Sequence, residues 1–174
     1  MKRPVAVTTS LILVLALALG ILLATRSPIT EAANSKSPLL GKVAPALSGE
    51  TLDGKTWSLA VHSKKVTVVT FWASWCGPCI TEAPELSTFA WEHRSTVNLV
   101  GIVFNDYIAT ARAFEVKYGS LYPSLIDANG AIANSFGVTS PPTTFVLDKR
   151  GRVAASLVGP ISAKQLSEVI RNIQ

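Results

Sequence analysis

The chain has 174 residues, which fits one domain of ordinary size once the ends are set aside. Its formal charge of +5 is not a nucleic-acid footprint: residues 1–41 hold Lys2, Arg3, Arg26 and Lys36 against Glu31, a net of +3 that leaves only +2 for the rest. Two cysteines and two histidines, His62 and His93, leave a zinc centre short of ligands, since His93 would fall several helical turns beyond the cysteines.

The first element is an address. Met1-Lys2-Arg3 is positive, and Val5 to Ala24 is uncharged and almost wholly apolar. Twenty residues of helix rise about 30 Å, the thickness of a bilayer's hydrocarbon core. Lys2 and Arg3 favour a cytoplasmic amino terminus. The stretch exceeds the roughly 7–15 apolar residues of a cleavable leader, and Thr30-Glu31-Ala32 is a poor cleavage site. Residues 1–25 therefore read as an uncleaved, single-pass transmembrane signal-anchor at the cell membrane, with the rest on the extracytoplasmic side. Residues 26–41, rich in Ser, Pro and Asn without hydrophobic periodicity, read as a flexible linker, and 42–174 as the folded domain.

Within that domain, Val43–Leu47 and Thr51–Leu59 predict a strand and a hairpin turned at Asp53-Gly54. Val66–Trp72 is continuously apolar, the pattern of a central strand buried on both faces. A helix follows Cys79 with Glu82, Leu86, Phe89 and Ala90 at helical spacing, and Pro84 predicts a kink. Val97–Phe104 predicts another buried strand, and Tyr107–Tyr118 a helix ended by Gly119. A short strand at Ser124–Asp127 and a short helix at Ala131–Phe136 come next. Thr143–Asp148 and Val153–Val158 form a hairpin, and Ser162–Ile173 a closing amphipathic helix with Leu166, Val169, Ile170 and Ile173 inward. The alternation is α/β with a mixed sheet.

Chemistry concentrates where both cysteines stand, in Trp75-Cys76-Gly77-Pro78-Cys79 directly after the Val66–Trp72 strand. A thiolate at a helix start is stabilised by unpaired N–H groups and the macrodipole, so its pKa falls. Closing so short a loop constrains the unfolded chain little, which argues against a purely structural bridge. Cys-x-x-Cys beside a βαβ pattern reads as a redox pair. His62, His93, Lys64 and Lys65 read as surface. Asp106 and Tyr107 follow a strand at the cysteines' end of the sheet, and the sequence does not decide whether they reach the rim.

Trp-Cys-Gly-Pro-Cys after Phe71-Trp72-Ala73-Ser74, with Pro84 five positions past Cys79, resembles thioredoxin. Three further segments resemble a narrower branch, the membrane-anchored, TlpA/ResA-type (AhpC/TSA-like) thioredoxin-like disulfide oxidoreductases, including the cytochrome c maturation thioredoxins. They are Gly41–Pro45 with Leu52-Asp53-Gly54-Lys55, the insert from Tyr122 to Val138, and Pro142–Asp148. The resemblance covers about residues 41–174. It implies a thioredoxin fold: a central mixed β-sheet flanked by helices, with an N-terminal β-hairpin and a central αβ insert.

The resemblance also implies roles. Cys76 is the exposed nucleophile and Cys79 the resolving thiol, an order that chemistry supports because the sulfur at the helix start has the lower pKa. Trp75 shelters the pair, and Gly77, Pro78 and Pro141 join it in lining the substrate site. Pro142 matches the family's cis-proline. Pro141 departs from the pattern, since the residue before that proline normally offers an N–H to substrate and a proline has none. Thr70 departs too, standing where thioredoxin buries an acid. Glu82, three residues after Cys79, matches an acid of the TlpA/ResA branch, and a buried carboxyl there can deprotonate Cys79 near neutral pH.

The expectation is an extracytoplasmic thiol–disulfide oxidoreductase that reduces disulfides of exported proteins, apocytochrome c among them by analogy. It needs no cofactor beyond the Cys76–Cys79 disulfide and no metal. Its partners are those exported substrates, a membrane thiol electron donor and the bilayer through residues 5–24, with no nucleic acid, and the protein works as a monomer. Three rivals stand beside this reading. A disulfide-forming oxidase shares the fold; a peroxidase lacks its Pro-x-x-x-Thr-x-x-Cys setting; a tethered, non-catalytic binding module leaves the intact motif unexplained.

Overall fold

The computed structural model describes residues 33–34, 36–62 and 64–173; the expected membrane span and most of the linker lie outside them. No helix among the described residues is long and apolar enough to cross a membrane. In chain order the elements are β1 (Ala33–Asn34), β2 (Ser48–Glu50), β3 (Thr56–Ser58), β4 (Val66–Trp72), α1 (Gly77–His93), β5 (Val97–Val103), α2 (Ile108–Tyr118), β6 (Ser124–Ile126), α3 (Ala131–Phe136), β7 (Thr143–Leu147), β8 (Val153–Val158) and α4 (Ala163–Arg171).

Every residue of β4 is buried, as its unbroken apolar run requires. β4 pairs in parallel with β5, in register from Val66↔Val97 to Trp72↔Val103, and antiparallel with β7, from Thr67↔Leu147 to Phe71↔Thr143. The six-stranded sheet has the order β1-β8-β7-β4-β5-β6 and is mixed, while β2 and β3 form a separate hairpin. Alternate β4 side chains feed two cores. Val69 and Phe71 pack with Phe136, Phe145, Leu47 and Trp57, which places α3 and the hairpin on that face. Val66 and Val68 pack with Leu86 and Phe89 of α1 and Leu166 and Ile170 of α4 on the other. Each fully buried side chain of this kind contributes about 1.5–3 kcal/mol.

The hairpin turns at Asp53-Gly54 as expected, but its first strand begins at Ser48, not Val43. Pro45 lacks the N–H that a ladder needs, so Val43 and Ala44 run instead as an extended segment bonded to the β7–β8 turn, with Ala44 N–H donating to the Gly151 carbonyl at 2.8 Å. Backbone pairing also begins within the stretch read as linker: Ala33 and Asn34 pair with Val158 and Leu157. Pro84 does not divide α1, which continues through it to His93. Gly119, at φ 76°, ends α2 in the left-handed conformation glycine favours. The two histidines are half-buried, not free on the surface: His62 stacks on Trp57 at 4.8 Å, and His93 packs on Phe89 at 4.5 Å.

Candidate active site

The topology collects four segments at one end of the sheet. β4 and β5 run in parallel and finish there, at Trp72 and Val103. β7 starts there, since Thr143 pairs with Phe71, and β8 finishes there, since Val158 pairs with Thr143. Residues 73–76, 104–107, 140–142 and 159–161 are therefore neighbours in space although as many as 88 positions separate them in sequence.

Cys76 is the N-cap of α1, with Gly77 and Pro78 opening the helix, and it is bonded to Cys79 with the sulfurs 2.01 Å apart. Pro78 suits this place, because a first-turn residue has no helical acceptor for its N–H. The Cys79 N–H donates to Cys76 Sγ at 3.2 Å, so the helix terminus holds the sulfur that the sequence marks as nucleophile. In this disulfide state, however, Cys76 is not exposed. It is 3% accessible and Cys79 2%, because both sit in an apolar cluster with Leu52, Trp72, Ala73, Ala83, Val103, Ala111 and Phe114. Bonding at the helix start, not exposure, distinguishes the two sulfurs here.

Glu82 lies one turn past Cys79 on the same face of α1 and is 2% accessible. Burial pushes its carboxyl up to about 8, against a bond from the Ile161 N–H to Oε1 at 3.0 Å that favours the charged form. Glu85, one turn further, accepts the Ala163 N–H at 2.9 Å. Two α1 carboxyls thus meet the start of α4, which Ser162 and Gln165 close with a reciprocal capping box. Burial also raises the Tyr122 hydroxyl, and the nearby carboxylates of Glu82 and Glu115 push the same way.

Thr70 is wholly buried and accepts the Thr144 hydroxyl at 3.1 Å across β4 and β7, a neutral pair at the position expected from thioredoxin to hold an acid. The Pro141–Pro142 bond is cis, and the Pro142 carbonyl accepts the Gly159 N–H at 3.0 Å. Pro142 is buried, Pro141 half-buried, and Gly77 and Pro78 are exposed. Trp75 is 58% exposed and aims its indole N–H at the Asn105 carbonyl, 3.0 Å away. Sequence reasoning singled out neither Ser74 nor Asn105 and left Asp106 undecided. Yet Ser74 N–H donates to Asp106 Oδ2 at 2.6 Å. The available signal was position alone, polar residues directly after a buried strand ending beside the cysteines.

The sequence pattern of the AhpC/TSA family matches residues 40–156, two thirds of the chain. The chain belongs to the AhpC/TSA family. Within that family its relatives are thiol–disulfide exchange proteins. It is 34% identical over 128 residues to a thiol:disulfide interchange protein DsbE homolog of Paracoccus denitrificans, covering 72% of this chain and 69% of the relative. It is 29% identical over 135 residues to the thiol-disulfide oxidoreductase ResA of Bacillus thuringiensis, covering 77% and 78%. A secreted disulfide oxidoreductase of Mycobacterium tuberculosis, homologous to DsbE of E. coli, superimposes with a TM-score of 0.65 at 28% identity over 72% of this chain and 95% of its own. This AhpC/TSA member is a TlpA/ResA-type thioredoxin-like protein and a thiol–disulfide oxidoreductase, its redox centre the Cys76–Cys79 pair.

That pair can exchange two electrons as thiols. The Cys76 thiolate attacks one sulfur of a substrate disulfide, forming a mixed disulfide and releasing the other sulfur as a thiolate that takes a proton. Cys79, once deprotonated, attacks Cys76 Sγ, closing the protein disulfide and freeing the second substrate thiol. The reverse sequence oxidises a substrate dithiol by the same bonds.

Proposed function

We propose that this oxidoreductase works outside the cytoplasm, anchored through residues 5–24, and runs in the reducing direction on disulfides of exported proteins. Haem-site cysteines of an apocytochrome c are the substrate that family analogy favours. The Gly77-Pro78 dipeptide carries the direction, and the buried Glu82 carboxyl behind Cys79 supplies the proton acceptor that the exchange needs. In the reducing direction the resolving thiol must lose a proton while sealed from water, and Glu82 has both the place and, at about 8, the proton affinity to take it. Gly77-Pro78 points to that direction because it is the dipeptide of reducing thioredoxins. The positive start followed by a bilayer-length apolar run supports the location, and one structural relative is described as secreted.

Electrons then come from a membrane thiol donor that reopens Cys76–Cys79, with no other cofactor and no metal. Pro141, Pro142, Trp75, Gly77 and Pro78 border the docked substrate chain. The test is the pH dependence of resolution. In the full-length chain, the rate at which Cys79 clears a mixed disulfide on Cys76 should rise through about pH 8, and Glu82→Gln should remove that inflection. A Glu82→Gln profile that overlays the parent's would overturn the relay.

A further inference from the structure

The β5–α2 loop is fastened to the redox loop at three points. Phe104 N–H donates to the Trp72 carbonyl at 2.8 Å, Ser74 N–H to Asp106 Oδ2 at 2.6 Å, and the Trp75 indole N–H to the Asn105 carbonyl at 3.0 Å. Asp106 also faces the other way. Its Oδ1 accepts the Tyr107 N–H at 2.8 Å and the Thr110 hydroxyl at 2.7 Å, at the first turn of a helix whose N-cap, Tyr107, supplies no side-chain cap of its own. One carboxylate therefore joins the segment that delivers Cys76 to the start of α2. Burial opposes its charge, but the bonds from Ser74, Thr110 and Tyr107 outweigh burial and hold the carboxyl below its ordinary value. Asp106 is thus an ionised acceptor at neutral pH, and bonds to an ionised acceptor are roughly twice as strong as neutral ones. Asn105 turns the loop at φ 45°, a conformation that asparagine tolerates better than most residues.

The surface around this junction is apolar. Trp75 is 58% exposed, Tyr107 82% and Ile108 42%, whereas Cys76 is 3%. An approaching chain meets these side chains before it meets the sulfur. A polypeptide disulfide brings flanking residues that can lie on them; a small disulfide brings none.

We propose that Asp106 is a specificity-determining positioning residue: by tying Ser74 to the first turn of α2, it sets Trp75 and Tyr107 as one rim beside Cys76, and that rim receives the polypeptide flanking a substrate disulfide. This rests on the reading of Cys76–Cys79 as a reductant of protein disulfides. Thr110 touches the carboxylate only from the helix side, so its loss leaves the Ser74 bond in place.

The test compares the reduced full-length chain with Asp106→Ala, Asp106→Asn and Thr110→Val, using insulin as a protein disulfide and 5,5′-dithiobis(2-nitrobenzoic acid) as a small one. Asp106→Ala should lower kcat/KM for insulin about tenfold, mainly through KM, and leave the small disulfide within about twofold. Asp106→Asn, which keeps an oxygen for the Ser74 N–H, should recover most of the loss, and Thr110→Val should match the parent. Equal losses on both disulfides, or none on either, would overturn the proposal. A second measurement is independent of turnover: hydrogen exchange of the Trp75 indole N–H should quicken about tenfold in Asp106→Ala while the buried Trp72 indole stays protected. Unchanged Trp75 exchange would contradict the proposal by itself. If the parent reduces the small disulfide but leaves insulin intact, the proposed function fails, and the exchange measurement still decides whether Asp106 fixes the rim.

Discussion

Glu82 shows how one side chain couples stability to chemistry. Between its ordinary value of 4.5 and about 8, the unfolded chain has lost the Glu82 proton while the folded chain keeps it. The folded state then binds more protons, so this group makes stability fall as pH rises through that window. Below about 4.5 the effect vanishes; above about 8 it is complete, on the order of 5 kcal/mol. Urea unfolding of the parent should therefore show stability declining from pH 5 to pH 8, with a flatter dependence in Glu82→Gln. Parallel curves for the two proteins would mean that Glu82 is not held protonated by burial. At this scale the sequence was legible for Cys76, Cys79 and Pro142, because a short motif and its neighbours mark them. Glu82 was legible as a position, but its Ile161 partner was not, since a carboxyl bonded to a backbone N–H 79 residues away leaves no local pattern. The burial of Cys76 was also hidden: helix-start chemistry says nothing of which apolar side chains close over a sulfur.

Among the elements, β5 carries the sharpest packing constraint. Gly101 stands in the strand interior, and a Cβ there would lie 2.5 Å from Ser124 Oγ and 2.6 Å from Trp72 Nε1. Those two atoms are bonded to each other at 3.2 Å, and Trp72 stacks on Phe114 of α2 at 4.8 Å in the cluster that holds both cysteines. Gly101→Ala should thus pry Trp72 from Ser124 and lower the unfolding free energy by about 1–3 kcal/mol, with a shift in tryptophan emission. Unaltered stability and emission would show that the sheet yields there at no cost. The strands and helices were themselves legible, since continuous apolar runs and 3.6-residue spacing survive in β4, β5, β7, α1 and α4. The first strand was misplaced because Val43–Leu47 has the right apolar content, yet Pro45 and the bonds to the β7–β8 turn keep it out of a ladder. The Trp72–Ser124 bond under Gly101 could not be foreseen, as it joins strands whose register only the folded sheet fixes.

For the molecule as a whole, the fold converts distant pieces of chain into one reactive end. Parallel β4 and β5 deliver the redox loop and the Asp106 loop, while antiparallel β7 and β8 return Pro142 and Ile161 to the same edge. The mixed sheet was legible from the order of elements, but which loops would touch was not. Ser74 and Asp106 meet across 32 positions through a backbone N–H, a donor every residue but proline possesses. We propose that this end of the molecule is built to give electrons, and the deciding measurement is the equilibrium reduction potential of Cys76–Cys79 in the full-length chain. An electron donor should show a value near that of reducing thioredoxins, about −270 mV. A value near about −120 mV, that of a strong oxidant, would contradict it and assign the protein to disulfide formation instead.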